Sequence, residues 1–247
     1  RRPCAIVPTV GTTATTAIDS VAGSAVLAAR YDAWLHVDAA MAGSAMILPE
    51  CRQLWEGVGA ADSLVFNPHK WLGVAFDCSA YYVRDTEHLI RVMSTNPSYL
   101  QTQFDAEVVN YRDWHIQLGR RFRSLKLWFL IREQGVEGLR ARLRRDLENA
   151  AWLAGAIAAE PGWEVVAPVP LQTVCCRHVP PGLDDAAINR HNLAWVESLN
   201  ASGAAMLTPA VVKGRQIVRV SIGAEATERR HVEEGWHAMK RAATGTV

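Results

Sequence analysis

Two residues in this chain are easier to explain by chemistry than by packing. Lys70 lies within Phe66-Asn67-Pro68-His69-Lys70-Trp71-Leu72-Gly73, among apolar and aromatic neighbours where a solvated lysine is out of place. Desolvation favours the neutral amine, the form that Schiff-base chemistry needs. A lysine snorkelling from the end of a core strand would leave the same trace. Asp38 stands in His36-Val37-Asp38-Ala39-Ala40, and a carboxylate ending a buried strand needs a cation or hydrogen-bond donors. A protonated pyridine nitrogen would meet that need, and the carboxylate would keep such a ring cationic as an electron sink. An ordinary Asp–Arg pair would meet it equally well. Ala39 and Ala40 would let a flat ring lie close to the backbone. His36-x-Asp38 is also a fragment of a metal-ligand pattern, but no second His/Asp pair has matching spacing, so no metal is expected.

Both residues fall where short apolar runs stop. Cys4–Val7, Trp34–Asp38, Ser63–Phe66 and Ser79–Val83 read as strands, and a helix capped by Asp19 or Ser20 runs to about Arg30. Such alternation argues for an α/β sheet, in which ligands sit outside the carboxyl ends of the strands. Asp38 and Asn67–Lys70 occupy that position. Residues 94–112 show neither helical nor strand period and read as a long functional or mobile loop. Helices follow at about 118–133 and 136–159, with Gly135 as the break between them. Beyond Pro161-Gly162 the pattern gives strands at 163–167, 172–178, 204–208 and 216–222, and helices at 184–201 and 227–243. These expectations divide the chain into residues 1–133, the later part of a large mixed or parallel sheet domain, and 134–247, a small C-terminal α/β domain.

The bulk properties exclude several classes. The chain has 247 residues, 49% of them hydrophobic, and 26 basic against 25 acidic groups give a net charge of +1. That balance gives no electrostatic case for nucleic acid or a membrane surface. No apolar run approaches the roughly 18 residues of a spanning helix, and the opening Arg1–Pro8 is too short for a signal peptide. A cytoplasmic location is expected. Five scattered cysteines with no C-x-x-C specify neither a disulfide framework nor a zinc site. The chain opens almost directly onto an apolar strand, as the back half of something longer would.

A strand-end aspartate followed about 30 residues later by a strand-end lysine describes a pyridoxal phosphate site. Leu35-His36-Val37-Asp38-Ala39-Ala40 with Phe66-Asn67-Pro68-His69-Lys70-Trp71 resembles the group II pyridoxal-phosphate-dependent decarboxylases, above all the aromatic-L-amino-acid decarboxylases. Gly11-Thr12-Thr13, Phe76-Asp77-Cys78-Ser79-Ala80, and Tyr111–Trp114 leading into Gly119–Lys126 extend the likeness over nearly the whole chain. The resemblance implies the fold-type I architecture and a homodimer with its active site near the subunit interface. It implies that Lys70 carries the cofactor, Asp38 pairs with the ring nitrogen, and Ala40 packs on the ring. Thr13 and Asn67 would lie on the cofactor, with His69 beside the lysine as part of the catalytic set. Tyr99, in Asn96-Pro97-Ser98-Tyr99-Leu100, matches the tyrosine of the family's mobile loop that protonates the carbanion once carbon dioxide has left. Phenylalanine there would suggest the oxidative, aldehyde-forming enzymes. Met41 and Ala75 depart from the family pattern, at places where an aromatic and a polar residue are expected. The phosphate-binding loop and the ring-stacking histidine belong to a preceding half, so this chain alone is not expected to be a competent enzyme.

The expected reaction is decarboxylation of an aromatic L-amino acid to amine and carbon dioxide. Rivals are other chemistry on the same fold (a glutamate-type decarboxylase, an aldehyde synthase or an aminotransferase) and a non-catalytic chain acting by association. Arg120-Arg121-Phe122-Arg123 with Lys126 reads as paired arginines alternating with an apolar core face of Phe122, Leu125 and Phe129 rather than as a nucleic-acid patch. The Arg140–Arg145 cluster reads as a solvated helix face, and Cys175-Cys176 as inert buried thiols. Arg219 is a strand arginine that is either structural or a carboxylate clamp. His178, His191, His231 and His237 show no ligand spacing.

Overall fold

A computed structural model describes residues 1–245 except 96 and 106. Its first half is a four-stranded sheet of β1 (Ala5–Ile6), β2 (Trp34–Asp38), β3 (Ser63–Phe66) and β4 (Ala80–Val83), in that spatial order. The first three strands are parallel and β4 is antiparallel, with Asp38 opposite Val65 and Phe66 opposite Ala80. Alternation along β2 buries Leu35 and Val37 almost completely. Each contributes about 1.5–3 kcal/mol by leaving water. The helix α1 (Val21–Tyr31) starts as expected, with the Ser20 hydroxyl accepting from Gly23 N–H at 3.0 Å, and stops where Asp32 turns left-handed at φ 48°.

The second half builds an antiparallel sheet in the order β5 (Trp163–Val165), β6 (Thr173–His178), β8 (Arg215–Ser221), β7 (Thr208–Val212). Helices α3 (Ser124–Ala159), α4 (Asp185–Ser202) and α5 (Arg229–Thr244) pack with it, burying Leu153, Ile157, Trp195, Val196, Trp236 and Met239. Leu143 of α3 and Leu171 belong instead to the core around Val37 and Trp71, so the two halves share a boundary of packed side chains.

A helix α2 occupies Thr86–Met93, capped by Asp85, whose carboxylate accepts from His88 N–H at 2.9 Å. Several expectations need correction. The helix expected from residue 118 starts at Ser124, and its supposed core face is open: Phe122, Leu125 and Phe129 are 74%, 44% and 57% exposed. No described element covers that face. Gly135 does break the helix, with φ 64° and ψ 173° inside α3. The strand expected at 204–208 lies at Thr208–Val212, because Asn200 holds both the N–H and the carbonyl of Leu207 at 2.8 Å in the preceding turn. Arg142 is buried, unlike the solvated arginine expected in its cluster.

Candidate active site

Past the last regular pairs, the end of β2 is stitched to the segment after β1 and to the end of β3. Asp38 N–H donates to Pro8 O at 3.0 Å, and Val10 N–H to Asp38 O at 2.8 Å. Beyond them Ala39 N–H reaches Val65 O at 3.0 Å and Asn67 N–H reaches Ala40 O at 2.9 Å. The Asp38 side chain turns back on its own loop, Oδ1 accepting from Ala40 N–H at 3.0 Å. Among the described residues no arginine or lysine pairs with this carboxylate. Burial lowers the pKa of His36, two residues earlier, against an opposing pull from Asp38.

After β3, Pro68 breaks the strand and the chain closes a tight turn that carries Lys70. Lys70 N–H donates to Asn67 O at 2.9 Å, Gly73 N–H to Lys70 O at 3.2 Å and Val74 N–H to Pro68 O at 3.0 Å. Gly73 has φ +84°, a left-handed conformation that glycine adopts without strain. The Asn67 side-chain oxygen accepts from Ser79 Oγ at 2.5 Å. His69 Nδ1 lies 2.6 Å from Cys78 O and 3.0 Å from Cys78 N, which orients the ring beside Lys70. The Lys70 side chain is exposed, contrary to the expected desolvation, because its apolar neighbours Trp71 and Leu72 point inward.

Thr13 follows Gly11, which has φ +83° and packs closely on the turn after β2: a Cβ there would sit 2.7 Å from Ala42 Cβ. A cavity of about 300 Å³ opens where this loop faces the second sheet, lined by Thr13, Met41, Lys70, Gln172 and Arg219 among others. Arg219 also donates from Nε to Ala14 O at 2.9 Å. The structure thus brings Lys70 and Thr13 to one cavity, with Asp38, Ala40, Asn67 and His69 fixed on the adjoining strand-end loops. It does not bring Tyr99 there. That residue sits on a single turn, Ser98–Leu100, and is 79% exposed.

Three residues of this neighbourhood escaped the sequence reading. Arg142, Asp146 and Gln172 are all buried. Arg142 and Asp146 recur at i and i+4 on the face of α3 that also buries Leu139 and Leu143, and charges on an apolar face were the available signal. Gln172 Nε2 donates to Met41 Sδ at 3.0 Å. The thiols of Cys175 and Cys176 are buried as expected, and burial raises both pKa values. Among the described residues no three His, Cys, Asp or Glu side chains cluster to hold a metal.

The donor set suits pyridoxal phosphate: an exposed amine, a carboxylate without a cation on the adjoining strand, threonine hydroxyls on a tight loop, and the small Ala39 and Ala40. A profile of the pyridoxal-dependent decarboxylase conserved domain matches residues 2–179. The chain belongs to this family. Tyrosine decarboxylase 1 of Narcissus pseudonarcissus is 40% identical over 99% of the chain, which covers 49% of that protein. Phenylacetaldehyde synthase of a Rosa hybrid cultivar is also 40% identical, over 96% of the chain and 49% of its own length. The crystal structure of Oryza sativa TDC with PLP and tryptamine superposes with a TM-score of 0.94 at 38% identity, over 99% of this chain and 51% of that one. The chain therefore spans about half the length of these decarboxylase-family relatives. Among the described residues no helix is long and apolar enough to cross a membrane.

Proposed function

We propose that the protein carrying this chain decarboxylates an aromatic L-amino acid to the corresponding amine and carbon dioxide, using pyridoxal phosphate. The observation that carries the reading is where Lys70 and Asp38 are placed: an exposed amine in the turn after one strand and a cation-free carboxylate at the end of the adjacent parallel strand. Relatives named as tyrosine and tryptophan decarboxylases support the aromatic substrate class.

When bound, pyridoxal phosphate supplies the electron sink for the bond between Cα and the departing carboxylate. Lys70 would hold the cofactor through its amine. Asp38 would keep the ring nitrogen protonated, and a carboxylate fixed by the Ala40 N–H would need no reorganisation to do so. Ala40, Thr13 and Asn67 would hold the ring in place, and His69, oriented by Cys78, stands beside the lysine. Tyr99 would supply the proton that takes the place of the departed carboxylate on Cα, from a loop that closes and excludes water. Residues 1–133 complete a large cofactor domain and 134–247 form a small domain, a division supported by the break at Gly135. A homodimer and a cytoplasmic location complete the reading. The open face of Phe122, Trp128 and Phe129 supports a subunit interface.

A second reading is favoured by one observation: a phenylacetaldehyde synthase is as similar as the tyrosine decarboxylase. Tyr99 in place of phenylalanine supports the amine. The test is an absorbance spectrum of the whole protein with pyridoxal phosphate, beside Lys70→Ala, followed by product analysis with L-tryptophan and L-DOPA. A visible-edge band lost in the variant, with amine and carbon dioxide formed, supports the proposal. Aldehyde as the main product overturns it in favour of the oxidative reaction, and a colourless, inert protein supports a non-catalytic role.

A further inference from the structure

The turn that carries Lys70 is held from behind by a buried polar lock that the reaction outlined above does not use. Trp71 is 3% exposed, and its Nε1–H donates to Asp146 Oδ2 at 3.0 Å. Asp146 is fully buried on α3. Arg142, one helical turn earlier, donates to Trp71 O at 3.2 Å and Leu72 O at 2.5 Å. A Cβ on Gly73 would come 3.3 Å from the Arg142 guanidinium, and one on Gly223 would meet the Trp71 ring at 3.1 Å. The three residues after Lys70 are therefore gripped between one face of α3 and the chain leaving β8.

This device is costly as a source of stability. Asp146 has no cation within ion-pair distance among the described residues, and its Oδ1 has no hydrogen-bond partner. Burial pushes its carboxyl pKa up, opposed by the Trp71 N–H and by the charges of Arg142 and Arg145. Apolar residues of similar volume often replace buried charges without loss of stability. What the carboxylate supplies and a leucine would not is direction: it fixes the rotation of the indole, and the short turn transmits that rotation to the neighbouring residue.

We propose that Asp146 is a positioning residue for Lys70, acting through Trp71, which aims the amine at the carbonyl carbon of the cofactor. The inference rests on the reading of Lys70 as the cofactor-bearing amine. The test compares the whole protein with its Asp146→Leu, Asp146→Asn, Trp71→Phe and Lys70→Ala variants. Cofactor absorbance, cofactor affinity, kcat and KM are measured for each. Misaimed chemistry costs on the order of 10–100-fold, so Asp146→Leu and Trp71→Phe each lose that much kcat, with KM within about threefold and a displaced absorbance band. Asp146→Asn still offers an oxygen to the indole and stays within about threefold of the parent. Trp71→Phe leaves the carboxylate in place and carries the same test if Asp146→Leu does not fold. Parental kcat and absorbance in Asp146→Leu or Trp71→Phe, at whatever melting temperature, overturn the proposal. So does an Asp146→Asn variant as damaged as Asp146→Leu. If the parent itself takes up no cofactor, the reading of the site falls and the positioning role with it. A normal parent with unaffected variants removes only the positioning role.

Discussion

The two segments assigned chemistry here are built in opposite ways. Asn67–Lys70 is tied by backbone hydrogen bonds to Ala40, Cys78 and its own turn, and the following residues are clamped by α3. Tyr99 rides on an exposed single turn whose surroundings are ordered at the base. There, Ser94 Oγ donates to Asp113 at 2.9 Å, and Asp77 pairs with Arg121 and Arg123. Different tasks ask for this difference. A group that sets the orientation of a cofactor must be in place before the ligand arrives, because reorganisation during reaction raises the barrier. A group that delivers one proton can be brought in late by a closing segment.

The sharpest way to break this contrast is at Lys70. Lys70→Ala in the whole protein is expected to abolish the cofactor band and lower turnover by at least about a thousandfold. A variant that keeps its band would move the covalent role elsewhere. Tyr99→Phe is expected to lower amine formation by roughly 10²–10⁴-fold while leaving the band intact. If the band vanished as well, Tyr99 would belong with the fixed group rather than the late one.

Stability should show the same division. A methyl on Gly43 runs into Phe66 Cβ behind the strand ends, so Gly43→Ala is expected to cost about 1–3 kcal/mol in urea unfolding. Nothing lies within 4 Å of a Cβ on Gly119, so Gly119→Ala in the open segment should stay within about 0.5 kcal/mol. Equal effects would mean that the two regions are packed alike.

Acid should act on the second sheet before it reaches the ion pairs of Asp77. Burial lowers the pKa values of His178 and His191, whose rings share a 2.8 Å hydrogen bond. The unfolded chain then binds protons more readily than the folded one, so stability complete above about pH 6.5 falls as the pH drops through the lowered values. A urea midpoint that does not fall between pH 7 and 5, or a fall unchanged by His191→Gln, would exclude this pair as the cause. The smallest effect is expected at Asp77, whose pKa Arg123 holds down at about 2 from 3.8. Its contribution is complete above about pH 4 and lost as pH falls toward 2. Hydrogen exchange near residues 120–126 should rise over that window, and Asp77→Asn should remove the pH dependence.

Much of the fold was legible because its signals are local. Leu35 and Val37 alternate with half-buried neighbours, Ser20 caps α1, and Pro68 stops β3 before the turn. Tyr99 was legible as part of an aperiodic stretch, though its distance from the cavity was not. The failures came where a residue's surroundings lie far along the chain. Phe122, Leu125 and Phe129 carry a helical core pattern, yet the surface that would cover them is not among the described residues. Thr208–Val212 was misplaced because the neighbouring turn depends on Asn200 holding Leu207.

What the sequence determined by itself is the order of the candidate groups along the chain. A carboxylate ending one strand and an amine just past the next are set by residue type and by local strand breaks, neither of which needs a distant partner. Only the tertiary structure decided which partner each charge meets. Arg142 and Arg144 sit two residues apart in one basic cluster, yet Arg142 is buried against the carbonyls of Trp71 and Leu72 while Arg144 forms a surface pair with Glu50. Helical periodicity sends these two residues to different faces. What each face meets is set by residues some seventy to ninety positions away, and that is decided only when the chain has folded.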